Sequence, residues 1–164
     1  MKKFVLSISM FCAALIFALG VSAQQKDFSG KWKLDEANST GLPPGMKQEM
    51  TVLQDGNTIK IETKIITNKG EQVVPDAYSL DGKETDYDSK FPGVVEGTGK
   101  RISKWTEKGF EVVEKTDVNT PQGKATIEMK RTWEMSADGK TLVIEIEAKG
   151  PQGEQTIKRT FIKA

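Results

Sequence analysis

The stretch FSGKWKLD, residues 28 to 35, sets Phe28, Gly30, Trp32 and Leu34 on one parity and Ser29, Lys31, Lys33 and Asp35 on the other. A period of two marks a strand with one buried and one wetted face. The same alternation returns along the chain. In TIKIETKI (58–65), Ile59, Ile61, Thr63 and Ile65 share a face against Lys60, Glu62 and Lys64. In TIEMKRTWEM (126–135), Ile127, Met129, Arg131, Trp133 and Met135 share one, and TLVIEIEA (141–148) aligns Leu142, Ile144, Ile146 and Ala148. Alternation this regular predicts half-buried antiparallel strands.

Turn signals separate these segments: QDGN (54–57), NKG (68–70), LDGK (80–83), EKG (107–109), PQG (121–123), ADGK (137–140) and a second PQG (151–153). Such glycines, asparagines, aspartates and prolines supply the backbone angles of tight turns. The pattern predicts strands near 28–35, 46–54, 57–67, 71–80, 83–90, 99–107, 110–119, 124–136, 140–148 and 154–163. The fold class is therefore all-β, an antiparallel up-and-down meander of 8–10 strands. With an even count the first and last strands can pair and close a barrel, which removes exposed edges. Barrels of about eight or more strands can hold one small ligand. Two segments interrupt the rhythm, EANSTGLPPGM (36–46) and VVEGTGK (94–100), both read as loops. A hairpin-sized likeness between residues 55–72 and 138–155 reads as two similar hairpins, not as a repeat architecture.

The first residues stand apart from this pattern. Lys2 and Lys3 precede an apolar run from Phe4 to Leu19, and Val21-Ser22-Ala23 is a small-residue cleavage site. This is the form of a secretory signal peptide over 1–23, leaving residues 24–164 as one domain. The expected location is periplasmic or secreted, with no stable membrane insertion after cleavage. Removing Lys2 and Lys3 from 24 basic residues leaves 22 against 23 acidic ones, a net charge of −1. That balance gives no basis for nucleic-acid binding. The chain has no histidine, and its one cysteine, Cys12, lies in the apolar run. Disulfides, zinc sites built on His or Cys, and Ser–His–Asp or Cys–His catalysis are thereby excluded from the domain. Carboxylates could still do chemistry, but Glu84, Asp86 or Asp88 would have to turn inward to do so. The acids are scattered over strand faces, so no enzyme, metal or cofactor is expected.

FSGKWKLD resembles the opening strand of the calycin superfamily, the lipocalins and fatty-acid-binding proteins, in its Gly30-x-Trp32. The likeness is to exported bacterial lipocalin-like domains. It implies a lipocalin-like β-barrel over about residues 28–163, and a late arginine packed across the tryptophan at the closed end. Arg159 in IKRTFIKA (157–164) is the match for that arginine. The chain departs from the pattern in having only residues 36–46 where fatty-acid-binding proteins carry a helical lid. TDY (85–87) spells a second lipocalin motif but lies too early in the chain.

Arg131 and Arg159 sit on otherwise inward-looking faces without an acid on the same local face, so each needs a partner from elsewhere. For Arg159 the expectation is a cation–π contact with Trp32. Arg131 would either anchor a ligand carboxylate, as the resemblance implies, or lie near the rim with its head in water. Trp105, Trp133, Tyr78 and Tyr87 are the remaining candidates for a ligand wall, with plain core packing as the alternative. TEKGFEVVEKTD (106–117) reads as a solvated outer face and its hairpin. Two functions follow. One is a monomeric binding protein for a small hydrophobic molecule, a fatty acid or lipid-like acid among the options. The other is a non-catalytic interaction module, such as an inhibitor or envelope-assembly factor.

Overall fold

The computed structural model describes residues 25–89, 97–120 and 123–164. The signal peptide expected over 1–23 lies outside the described residues. Ten antiparallel strands form one sheet: β1 (Gly30–Leu34), β2 (Lys47–Asp55), β3 (Thr58–Thr67), β4 (Gly70–Ser79), β5 (Asp81–Ser89), β6 (Gly97–Trp105), β7 (Gly109–Thr120), β8 (Gly123–Met135), β9 (Thr141–Gly150) and β10 (Gly153–Lys163). Each strand lies within a few residues of its expected place. Residues 94–96 of the second expected loop lie outside the described residues, and Gly97–Lys100 belongs to β6.

The strand order is β4-β3-β2-β1-β10-β9-β8-β7-β6-β5, so first and last strands pair as expected. Trp32 lies opposite Lys163 and Leu34 opposite Phe161. The two free edges are β4 and β5, consecutive strands that share no ladder, and the barrel is nearly closed. Both carry features that discourage pairing. Pro75 in β4 supplies no N–H, and β5 shifts register between Asp81 and Glu84.

The inward parity divides the barrel into two halves. At one end the segment before β1 folds under the strands. Phe28 is fully buried, its N–H donates to Gln54 Oε1 at 2.9 Å, and Lys26 Nζ donates to the Met135 carbonyl at 2.7 Å. Above this plug, Trp32, Met50, Val52, Ile59, Phe110, Trp133, Leu142, Ile144 and Phe161 form one core. This is the closed half. The other half carries the 35–46 loop and inward residues that include several charged ones.

Trp32 is 1 % exposed, and its Nε1 donates to the Phe28 carbonyl at 3.0 Å. The cation over its ring is Lys163, with Nζ 5.3 Å from the ring centre, not Arg159. Register is the reason. Arg159 lies four residues before the partner of Trp32, about 13 Å away along the strand. Its guanidinium donates to the carbonyls of Thr40 and Gly41 and ties the 35–46 loop to β10. Gly30 adopts φ 141°, and a Cβ there would lie 2.8 Å from Lys163 Cε, so the glycine lets the lysine stem settle beside Trp32.

Trp32→Ala is expected to cost ~3–5 kcal/mol of stability. Lys163→Met should cost under about 1 kcal/mol, because the cation–π contact is exposed. Urea denaturation of the two variants checks the contrast.

Candidate functional site

In the open half, four charged side chains from four strands converge inside the barrel. Val74, Asp76 and Tyr78 share the inward parity of β4; Arg101 and Ser103 that of β6; Phe110, Val112, Glu114, Thr116 and Val118 that of β7; and Met129, Arg131 and Trp133 that of β8. Glu114 is 2 % exposed and Arg101 9 %. Such burial is tolerated only when every charge is met.

Glu114 bridges the two arginines. Its Oε1 accepts from Arg101 Nε at 2.7 Å and lies 2.6 Å from Arg101 Nη2. Its Oε2 accepts from Arg131 Nη1 at 2.5 Å. Arg101 then reaches away from β7. Its Nη1 donates to Asp76 Oδ1 at 2.8 Å and to the Ala77 carbonyl at 3.0 Å, and Nη2 donates to Asp76 Oδ2 at 3.3 Å. Arg101 thus makes four hydrogen bonds and a further close ion-pair contact to Glu114. Arg131 differs. Its side chain is 13 % exposed, yet among the described residues it makes only the bond to Glu114. The two arginines and two carboxylates sum to zero charge.

Two tyrosines frame the network. The Arg101 guanidinium lies 4.8 Å from the Tyr78 ring centre and 4.4 Å from that of Tyr87. The Tyr87 hydroxyl forms a short hydrogen bond with Thr116 Oγ1. It crosses β6 at Gly99, which stands between Tyr87 and Thr116 in the register. A Cβ at Gly99 would lie 2.2 Å from the Lys115 carbonyl oxygen, so the strands meet there as only glycine allows. Burial acts against charge on both arginines, but it is outweighed and their pKa values are raised, at Arg101 by Asp76 and Glu114 foremost and at Arg131 by Tyr78 and then Glu114 and Asp76. Burial pushes the Tyr78 phenol far above its usual range and raises that of Tyr87.

A cavity of about 70 Å³ adjoins the network, lined by Val74, Asp76, Tyr87, Thr116, Met129 and Arg131 among others. Beyond it the inward wall changes character. Ala125, Ile127 and Met129 on β8, Ile146 and Ala148 on β9, and Ile157 on β10 are apolar yet only half-buried. A larger groove of about 610 Å³ runs over the outer side of β7–β10. Charges dominate its lining, Lys115, Glu128, Lys130, Glu147, Lys149 and Glu154 among them, and several are paired with one another.

The expected site residues therefore separate into three groups. Arg131, Tyr78 and Tyr87 meet at the network. Trp133 and Trp105 belong to the closed half, where Trp133 stacks on Phe110 at 4.9 Å and Trp105 donates from Nε1 to Asn57 Oδ1 at 2.9 Å. Trp133 Nε1 is buried with no hydrogen-bond partner among the described residues. Arg159 stands alone at the loop. Arg101, Glu114, Asp76 and Thr116 were not among the expected site residues. The reading of 106–117 as a solvated face is corrected: Phe110, Val112, Glu114 and Thr116 point inward and are buried. Glu84 and Asp86 lie on the outer side with Lys100, and Asp88 is exposed.

No family model matches the sequence, and no curated protein matches it. Solved structures do match its shape. The zebrafish ileal bile acid-binding protein complexed with cholic acid superposes with a TM-score of 0.52 at 22 % identity, covering 84 % of this chain and 98 % of that one. A REP1-NXSQ fatty acid transporter superposes with a TM-score of 0.50 at 12 % identity, covering 84 % and 96 %. The likeness is one of fold. It agrees with the all-β, up-and-down barrel read from the strands.

Both tyrosines should resist ionisation at their ordinary value of ~10. A raised folded-state value means the unfolded chain releases these protons first, so stability is full below about pH 10 and falls as pH rises above it. Absorbance at 295 nm should therefore show the Tyr78 tyrosinate only together with loss of the far-ultraviolet dichroism signal. Ionisation of both tyrosines near pH 10 in the folded protein would contradict the burial described.

Proposed function

We propose that this is an exported bacterial, non-enzymatic protein that binds a small hydrophobic molecule in the open half of its barrel. The observation that carries the reading is the half-covered apolar wall of Ala125, Ile127, Met129, Ile146, Ala148 and Ile157. In the closed half the same parity is filled and buried, at Trp133, Ile144 and Phe161. An apolar body laid on the open wall would remove that surface from water, at ~25 cal/mol per Å². The fold neighbours support the same class, one complexed with cholic acid and the other a fatty acid transporter. An interior arginine taken alone, Arg131 above all, would suggest a fatty acid or lipid-like acid. Both inward carboxylates are held by arginine, which leaves neither as a free base and weighs against an enzyme. Export to the periplasm or beyond rests on the leader-like residues 1–23.

One observation favours a second reading. The cavity beside the network holds about 70 Å³, against about 300–1,000 Å³ for ordinary ligand pockets. A barrel filled by its own side chains would suit a non-catalytic interaction module acting through its surface.

Organic extraction of protein purified from its native host, followed by mass spectrometry, should release a hydrophobic small molecule, and a fluorescent fatty-acid probe should bind and be displaced. Ala148→Trp, which fills the open wall at a half-buried site, should weaken probe binding by about tenfold while changing stability by less than about 1 kcal/mol. No extracted molecule, no probe binding and one dominant protein in a pull-down would establish the second reading instead.

A further inference from the structure

We propose that the site selects a neutral polar head, a hydroxyl, ester or amide on an apolar body, over the carboxylate of a free lipid acid. The inference rests on the reading that the open half binds a hydrophobic molecule, and names the class. An arginine inside a barrel attracts a carboxylate when its charge is unmet. Here that seat is occupied from within. Glu114 places one oxygen on Arg101 and the other on Arg131, and Asp76 takes the far side of Arg101. The four groups are already neutral. A ligand carboxylate arriving beside them would leave one negative charge without a counter-charge next to a buried cluster. An uncompensated charge beside a buried ionic cluster is strongly unfavourable.

What the network still offers is hydrogen-bond donors. Arg131 lines the cavity and uses one of its N–H groups on Glu114, and no other bond is made to it among the described residues. Tyr78 backs the cluster from the core, its ring against Arg101, and does not line the cavity. A neutral carbonyl or hydroxyl oxygen meets the free Arg131 donors in the cavity without adding charge. The volume agrees with this division: about 70 Å³ has room for a head group, while the apolar body lies on the wall of β8–β10.

The test uses a matched pair, dansylaminoundecanoic acid and its primary amide, titrated into the full mature chain at pH 7.5 and followed by dansyl fluorescence. The amide is expected to bind at least about tenfold more tightly than the acid. Glu114→Gln, which removes one internal charge and keeps the shape, should improve acid binding by at least about tenfold. Arg131→Met, which keeps the stem and removes the donors, should weaken amide binding by about tenfold. An acid bound as tightly as the amide by the unsubstituted protein overturns the head-group inference and leaves the hydrophobic-ligand reading intact. Failure of both probes to bind overturns both. The comparison in the unsubstituted protein decides the matter even if Glu114→Gln does not fold.

Discussion

The one break in the barrel is bridged by the reach of a single side chain. The sheet is continuous except between β4 and β5, where no backbone ladder forms. Arg101, on β6, spans that break from the inside. It holds Asp76 and the Ala77 carbonyl on β4 with one edge of its guanidinium and Glu114 on β7 with another. Its planar fork suits this task, because five fixed donors can serve partners in different directions. A lysine could supply the charge but not the geometry. The gap therefore exists in the backbone and is closed by side chains.

A buried ionic cluster is weak support for stability in itself. Apolar residues of the same volume often do as well or better. The closed half of this barrel shows that alternative in place, with Phe110, Trp133, Leu142 and Phe161 filling the same inward parity. The two halves thus face the same topological problem and solve it differently. One is dry and complete. The other keeps charges, an adjoining cavity and a half-covered apolar wall. That asymmetry makes the open half the place to look for function, since packing alone would not ask for it.

Most of the fold was legible because alternation and turn residues are local signals. Ten strands, the pairing of β1 with β10 and the burial of Trp32 all follow from them. The site was legible only in part. Arg131 drew notice as a charge on the face of Met129 and Trp133. Glu114 obeys the same rule, sharing parity with Phe110, Val112 and Thr116. The charge density of EVVEKTD concealed it, since a run of acids and lysines ordinarily marks a wetted face. Arg159 failed for another reason. Its parity is inward, but its level along the barrel is set by the register of β10 against β1, and register is not written in either strand alone.

The carboxylate concealed in a charged run also changes what an interior arginine means. Counted alone, Arg131 looks like an unmet cation waiting for an anionic ligand. Counted with Arg101, Glu114 and Asp76, it is one corner of a neutral square whose members come from four strands. Electrostatic preference belongs to the cluster and not to any residue in it, because in a medium that screens poorly each charge is felt by all the others. Two barrels of the same fold can therefore share an inward arginine and prefer opposite head groups, with a single buried glutamate as the difference.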